Sequence, residues 1–135
     1  MKTTLFFLLF IFCATVYAQN RISDIIGTWR LVKSIHGGKA EDMNEIIKIK
    51  HINKSNFTWI SCYKDTKVIR NAMSGECNYD GEIYTEKVNY VGVGMVRYLN
   101  VVNKFRVEVK GNKLYLKGTL PDKIYIDEIW LKLDK

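Results

Sequence analysis

Proline occurs once in the 135 residues, at Pro121, and histidine only twice, at His36 and His51. No low-complexity run, internal repeat or linker divides the chain either, so its length fits a single domain. The same scarcity narrows the chemistry. Two histidines without His-Cys-carboxylate spacing outline no zinc site, and there is no glycine-rich phosphate cradle or nucleophile elbow. Gly37-Gly38 and Gly92-Val93-Gly94 read as turns. The fourteen carboxylates could in principle supply an acid/base pair, but their number makes any one pairing uninformative. The expectation is a non-enzyme with no metal and no cofactor.

Long hydrophobic runs are equally scarce. The longest, Leu5 to Val16, is about 12 residues where a membrane span needs about 20. Lys2 before it and Val16-Tyr17-Ala18 after it make residues 1–18 a secretory signal peptide. Residues 19–135 then form the domain of a secreted or periplasmic protein with no membrane span. Lipid attachment at Cys13 is the competing reading, but Phe10-Ile11-Phe12 lacks the small residues that such processing wants. The formal charge is +7, and removing Lys2 with an acid-free leader leaves +6. The charges are interspersed, which reads as a solvated basic surface. No basic stripe with aromatic platforms points to nucleic acid. Of three cysteines, Cys62 and Cys77 remain after cleavage. Either they form a disulfide, worth about 3 kcal/mol for a loop of this size, or they are two separate buried thiols on neighbouring strands. The sequence leaves both open.

What is present is strand. Short alternating runs broken by Gly, Asn, Asp and Lys cover Trp29–Ile35, Ile46–Ile52, Phe57–Tyr63, Lys67–Arg70, Gly75–Tyr79, Ile83–Val91, Val96–Val102, Phe105–Val109, Leu114–Leu120 and Ile124–Leu133. About ten strands at this spacing predict an all-β antiparallel sandwich or barrel. Placing Gly111-Asn112 at the centre of a primed turn pairs Lys110 with Lys113, Val109 with Leu114 and Val107 with Leu116, with every apolar partner on one face. Asp80-Gly81 marks a second hairpin, between Tyr79 and Glu82. At Asn53-Lys54-Ser55-Asn56 a two-residue loop would pair Lys50 with Trp59, whereas a longer one would change the faces. Helix is confined to short turns at Ile22–Ile26 and Glu41–Glu45. The sequons Asn53-Lys-Ser and Asn56-Phe-Thr are read as turn chemistry.

In such a barrel the first strand needs a tight entry and a plug for one end. Gly27 supplies permissive backbone and Trp29 a large apolar body. Gly27-Thr28-Trp29 resembles the G-x-W signature of the lipocalin-like, or calycin, proteins. The order IIGTWRLV, NFTWI, YDGEIYTEKVNY, GNKLYLKG, IDEIWLKL is similar to small exported bacterial lipocalin-like domains of unassigned function. The resemblance implies an antiparallel up-and-down barrel whose tryptophan packs across its base against a basic side chain near the C-terminal strand. That side chain is usually arginine. Lys132 is the matching residue here.

Two carboxylates break the apolar pattern. In Ile83–Tyr90 the more apolar face carries Tyr84, Glu86, Val88 and Tyr90, which places Glu86 inside. In the last strand, Ile124, Ile126, Glu128 and Trp130 place Glu128 inside beside Trp130. A buried carboxylate must find a partner or stay protonated. Arg97 and the hydroxyls of Tyr84, Tyr90 and Tyr98 are the candidate partners. Trp59, with Phe57 and Tyr63 at alternating positions on the same face, is expected to line the same space. The expectation is a monomeric barrel that holds a small hydrophobic or amphipathic ligand, with Trp59, Tyr84, Tyr98 and Trp130 giving apolar contact and Glu86 and Glu128 orienting a polar group. On that reading Glu86→Gln folds normally and weakens binding. The alternatives are side chains that merely satisfy one another or point to solvent, and a filled barrel acting as an envelope or protein-interaction module. An open lumen of about 300 Å³ or more separates them.

Overall fold

The computed structural model describes residues 21–134, so the leader read over residues 1–18 lies outside the described residues. A one-turn helix, α1 (Ile22–Ile25), is followed by β1 (Gly27–His36), β2 (Lys39–Ala40), β3 (Ile46–Ile52), β4 (Asn56–Tyr63) and β5 (Ile69–Tyr79). The chain continues through β6 (Ile83–Val91), a 3₁₀ helix (Val93–Tyr98), β7 (Val102–Lys110), β8 (Lys113–Thr119) and β9 (Tyr125–Lys132). All pairings are antiparallel. From β3 onward each strand pairs with the next, β1 pairs with β3, and β9 returns to β1, so eight strands close an up-and-down barrel. The two-residue β2 folds back on the end of β1. Closure leaves no long sheet edge open. Among the described residues no helix is long and apolar enough to cross a membrane.

The predicted registers hold in two hairpins. Lys110 pairs with Lys113, Val109 with Leu114 and Val107 with Leu116. Lys50 pairs with Trp59 and Ile52 with Phe57, so the loop after β3 is the two-residue one. At the third hairpin the turn is centred one residue later than expected. Asp80 pairs with Ile83 through a backbone bond, and its carboxylate accepts from the Glu82 and Ile83 N–H groups.

Four other expectations are corrected. The runs Lys67–Arg70 and Gly75–Tyr79 are not two strands: Ile69 and Arg70 begin the strand β5 that continues to Tyr79, while Lys67 and Val68 lie before it. Val96–Val102 is not a strand: its first half is in the 3₁₀ helix, where Val93 and Val96 are 94% and 61% exposed and so have no face to bury. No helix forms over Glu41–Glu45. Tyr90 does not face inward. The β5–β6 register shifts between Ser74 and Gly75, so Gly75 pairs with Val88 and Ser74 with Tyr90. This shift turns Tyr90 out to 73% exposure while Tyr84 and Val88 stay buried. Gly75 is required there, because a Cβ would lie 1.9 Å from the Lys87 carbonyl oxygen.

The base of the barrel explains the Gly27-Thr28-Trp29 segment. Trp29 is fully buried, and its Nε1–H donates to the Ile25 carbonyl at 2.8 Å, which ties α1 across the closed end. Lys132 pairs with Trp29 in the β1–β9 ladder, with Nζ 5.3 Å from the ring centroid. Gly27 has φ +142°, and a Cβ there would meet the Lys132 side chain and the Asp134 carboxylate, each at 2.8 Å. Asp134 accepts from the Thr28 N–H, which with its other contacts lowers its pKa. Glycine therefore lets the C-terminal segment close over the entry to β1.

Candidate functional site

The closed half of the barrel is filled by Trp29, Ile52, Phe57, Leu114, Leu116 and their neighbours. Above them the lumen holds a cavity of about 410 Å³, whose walls include Trp59, Met73, Met95, Ile126 and Trp130. The wall comes from inward positions of β3 to β7 and of β9, and the mouth from the ends of β1 and β5 and from the 3₁₀ helix, which brings Met95, Arg97 and Tyr98 over the rim.

The polar layer between core and cavity is built on Lys50. Lys50 and Glu86 are both buried, and Lys50 Nζ donates to Glu86 Oε1 at 2.7 Å. The ammonium also lies 5.2, 5.5 and 5.8 Å from the ring centroids of Trp130, Phe105 and Tyr84, within cation–π range. Glu86 is thus inside, as its strand pattern implied, but its partner is neither Arg97 nor a tyrosine. Lys50 was the residue missed. A lysine alternating with Ile47 and Ile49 reads as an outward side chain, yet directly opposed residues in a ladder share a face. The Lys50–Trp59 pairing already put Lys50 on the face of an inward tryptophan. The pair also corrects the expectation for Glu86→Gln. Removing the carboxylate charge strands a buried ammonium, so folding suffers before binding does.

Glu128 also faces inward. Its Oε2 accepts from Trp130 Nε1–H at 2.9 Å, but it makes no ion pair among the described residues, and its surface is reached from the cavity. Burial raises the Glu128 carboxyl above the ordinary carboxylate range, partly offset by Lys50 and the Trp130 bond. The folded protein therefore holds this proton at pH values where the unfolded chain has released it, and stability declines as pH rises through that interval. Glu128→Gln keeps an acceptor for Trp130 and removes the titration. Its unfolding midpoint relative to wild type should rise from about pH 4, near the unperturbed carboxyl range, to neutral pH. A difference that is the same at both pH values would place Glu128 in water.

The other expected residues divide. Trp59 and Trp130 line the cavity, with Lys48 Nζ 5.9 Å from the Trp59 ring centroid. Tyr98 stands at the mouth, where its hydroxyl accepts from Arg97 Nη2 at 2.8 Å. Tyr84 is corrected: it is fully buried beneath Lys50 and offers no surface to the cavity. Burial raises its hydroxyl pKa well above the usual value. Tyr63 is exposed at the strand end rather than lining the lumen.

The disulfide alternative is also settled. Cys62 and Cys77 are free thiols. Cys62 pairs with Ile69 at the mouth end of β5, whereas Cys77 lies eight residues further along that strand, near the loop after β3. Eight residues of strand span roughly 26 Å, far beyond the Cα separation of about 4.4–6.8 Å that a disulfide tolerates. Burial raises the Cys77 thiol pKa.

Among the described residues no group of three or more His, Cys, Asp or Glu side chains is arranged to hold a metal ion. What the site presents is an apolar-walled chamber with a charged inner end and a basic mouth. Neither the protein-family models nor the curated proteins with which the chain was compared match it.

Proposed function

We propose that this protein is an exported, lipocalin-like binding barrel that holds one small, partly apolar molecule in its lumen without transforming it. The observation that carries this reading is the cavity of about 410 Å³ above a packed base. It exceeds the roughly 300 Å³ at which small-molecule sites begin, and it combines apolar walls with a few fixed polar groups. The filled-barrel reading requires side-chain packing along the whole lumen, which the upper half lacks. Residues 1–18 supply the export signal. The Gly27-Thr28-Trp29 base with Lys132 over the indole supports the lipocalin-like assignment.

Binding is tested with anilinonaphthalene sulfonate, followed by energy transfer from tryptophan. One probe per chain is expected. Met73→Trp, which fills the cavity from its β5 wall, should weaken the probe by about tenfold or more, equivalent to 1.4 kcal/mol, with little change in the unfolding midpoint. Equal affinity in both proteins would put the probe on the outer surface and remove the lumen from the account.

A further inference from the structure

The charges around the cavity are unevenly matched. At the mouth, Arg70 at the start of β5 and Arg97 in the 3₁₀ helix both line the chamber. Neither makes an ion pair among the described residues. Arg97 donates to the Tyr98 hydroxyl and lies 4.8 Å from its ring centroid, which orients the guanidinium without neutralising it. Lys48 differs, because Glu41 pairs with it. At the inner end the imbalance is reversed. Lys50 is engaged by Glu86, which among the described residues leaves Glu128 without an ion pair and with one oxygen free of any hydrogen bond. The two mouth arginines have no paired anion, and Glu128 on the inner wall keeps an acceptor without a donor.

We propose, building on the reading of the lumen as a binding site, that its ligand is an amphiphile seated with an anionic group on Arg70 and Arg97 and a hydrogen-bond-donating group, such as a hydroxyl, against Glu128. Between these ends the ligand crosses Trp59, Met73, Met95 and Ile126, where apolar burial favours it regardless of direction. Direction is set by charge. Guanidinium pairs with a carboxylate, sulfonate or phosphate through charge-assisted bonds. The reverse orientation would press that anion against the unpaired Glu128 carboxylate in a region of low dielectric, where like charges repel strongly. A donor at the inner end satisfies the Glu128 oxygen that the protein leaves open.

The test compares ω-hydroxydodecanoate, dodecanoate and methyl ω-hydroxydodecanoate by isothermal titration. The hydroxy acid should bind about tenfold or more tighter than either of the others, the effect of one charge-assisted hydrogen bond. Arg70→Gln with Arg97→Gln should abolish the preference for free acid over ester and leave the preference for the hydroxyl. Glu128→Met should do the opposite. Each readout is a ratio within one variant, so a general loss of stability cancels. Three equal affinities, ratios unmoved by the variants, or an acid preference that disappears with Glu128 instead of the arginines would each overturn the proposal while the lumen remains a binding site. If none of the three binds but anilinonaphthalene sulfonate does, the ligand class is wrong. If that probe fails as well, the lumen reading fails with it.

Discussion

Trp29→Ala should cost about 3 to 5 kcal/mol of folding stability, the range for truncating a large aromatic in a packed core. Trp29 is at the top of that range for three reasons. It is fully buried, its Nε1–H holds α1 by the Ile25 carbonyl, and Lys132 lies over its ring. Truncation leaves a cavity at the closed end, an unsatisfied carbonyl beneath α1 and an ammonium without its aromatic face. Because the chamber is at the other end of the barrel, binding per folded molecule should change little. Denaturant titration measures the loss directly. A value below about 1 kcal/mol would mean that Trp29 does not hold the base.

Lys50→Met should be comparably severe, at about 3 to 5 kcal/mol, because removing one partner of a buried ion pair leaves the other charge uncompensated. The magnitudes distinguish this pair from those outside the barrel. Lys87–Glu76 and Arg106–Glu82 are more than half exposed, and exposed pairs contribute about 0–1 kcal/mol. Lys50 also neutralises more than Glu86, since its charge acts on Glu128 as well. Lys50→Met therefore strands two carboxylates, whereas Glu86→Gln leaves the ammonium with Glu128 nearby. The lysine substitution should be the more damaging of the two. Combining Lys50→Met with Glu86→Leu should recover much of the loss, because replacing a whole buried pair by apolar side chains is often neutral. A double variant as unstable as the sum of the singles, measured by the same titration, would contradict the pairing.

Much of this architecture is written in local pattern. The Lys110–Lys113 hairpin follows from a Gly-Asn turn whose register agrees with its hydrophobic face. The inward positions of Glu86 and Glu128 follow from period-two alternation with Tyr84, Val88, Ile126 and Trp130. What the pattern does not carry is any effect of one strand on another. Tyr90 points outward because a bulge opposite Gly75 reverses the alternation, and a bulge leaves no apolar signature of its own. Lys50 looks like a surface residue until the aromatic rings and carboxylate that surround it are brought from β6, β7 and β9. The 3₁₀ helix is hidden for the opposite reason. Val96 reads as strand because it is apolar, yet it is exposed at the mouth. Cys62 and Cys77 look bridgeable across a short loop, but β4 and β5 hold them at opposite ends of the hairpin.

Whether the chamber is occupied by a molecule of its own is best tested by native mass spectrometry of the protein purified from the cells that make it, beside its Met73→Trp variant. The account predicts one small molecule per chain in the wild-type protein and its loss from the variant whose lumen is filled. The bare polypeptide mass in both proteins, or an adduct that survives filling of the lumen, would contradict it.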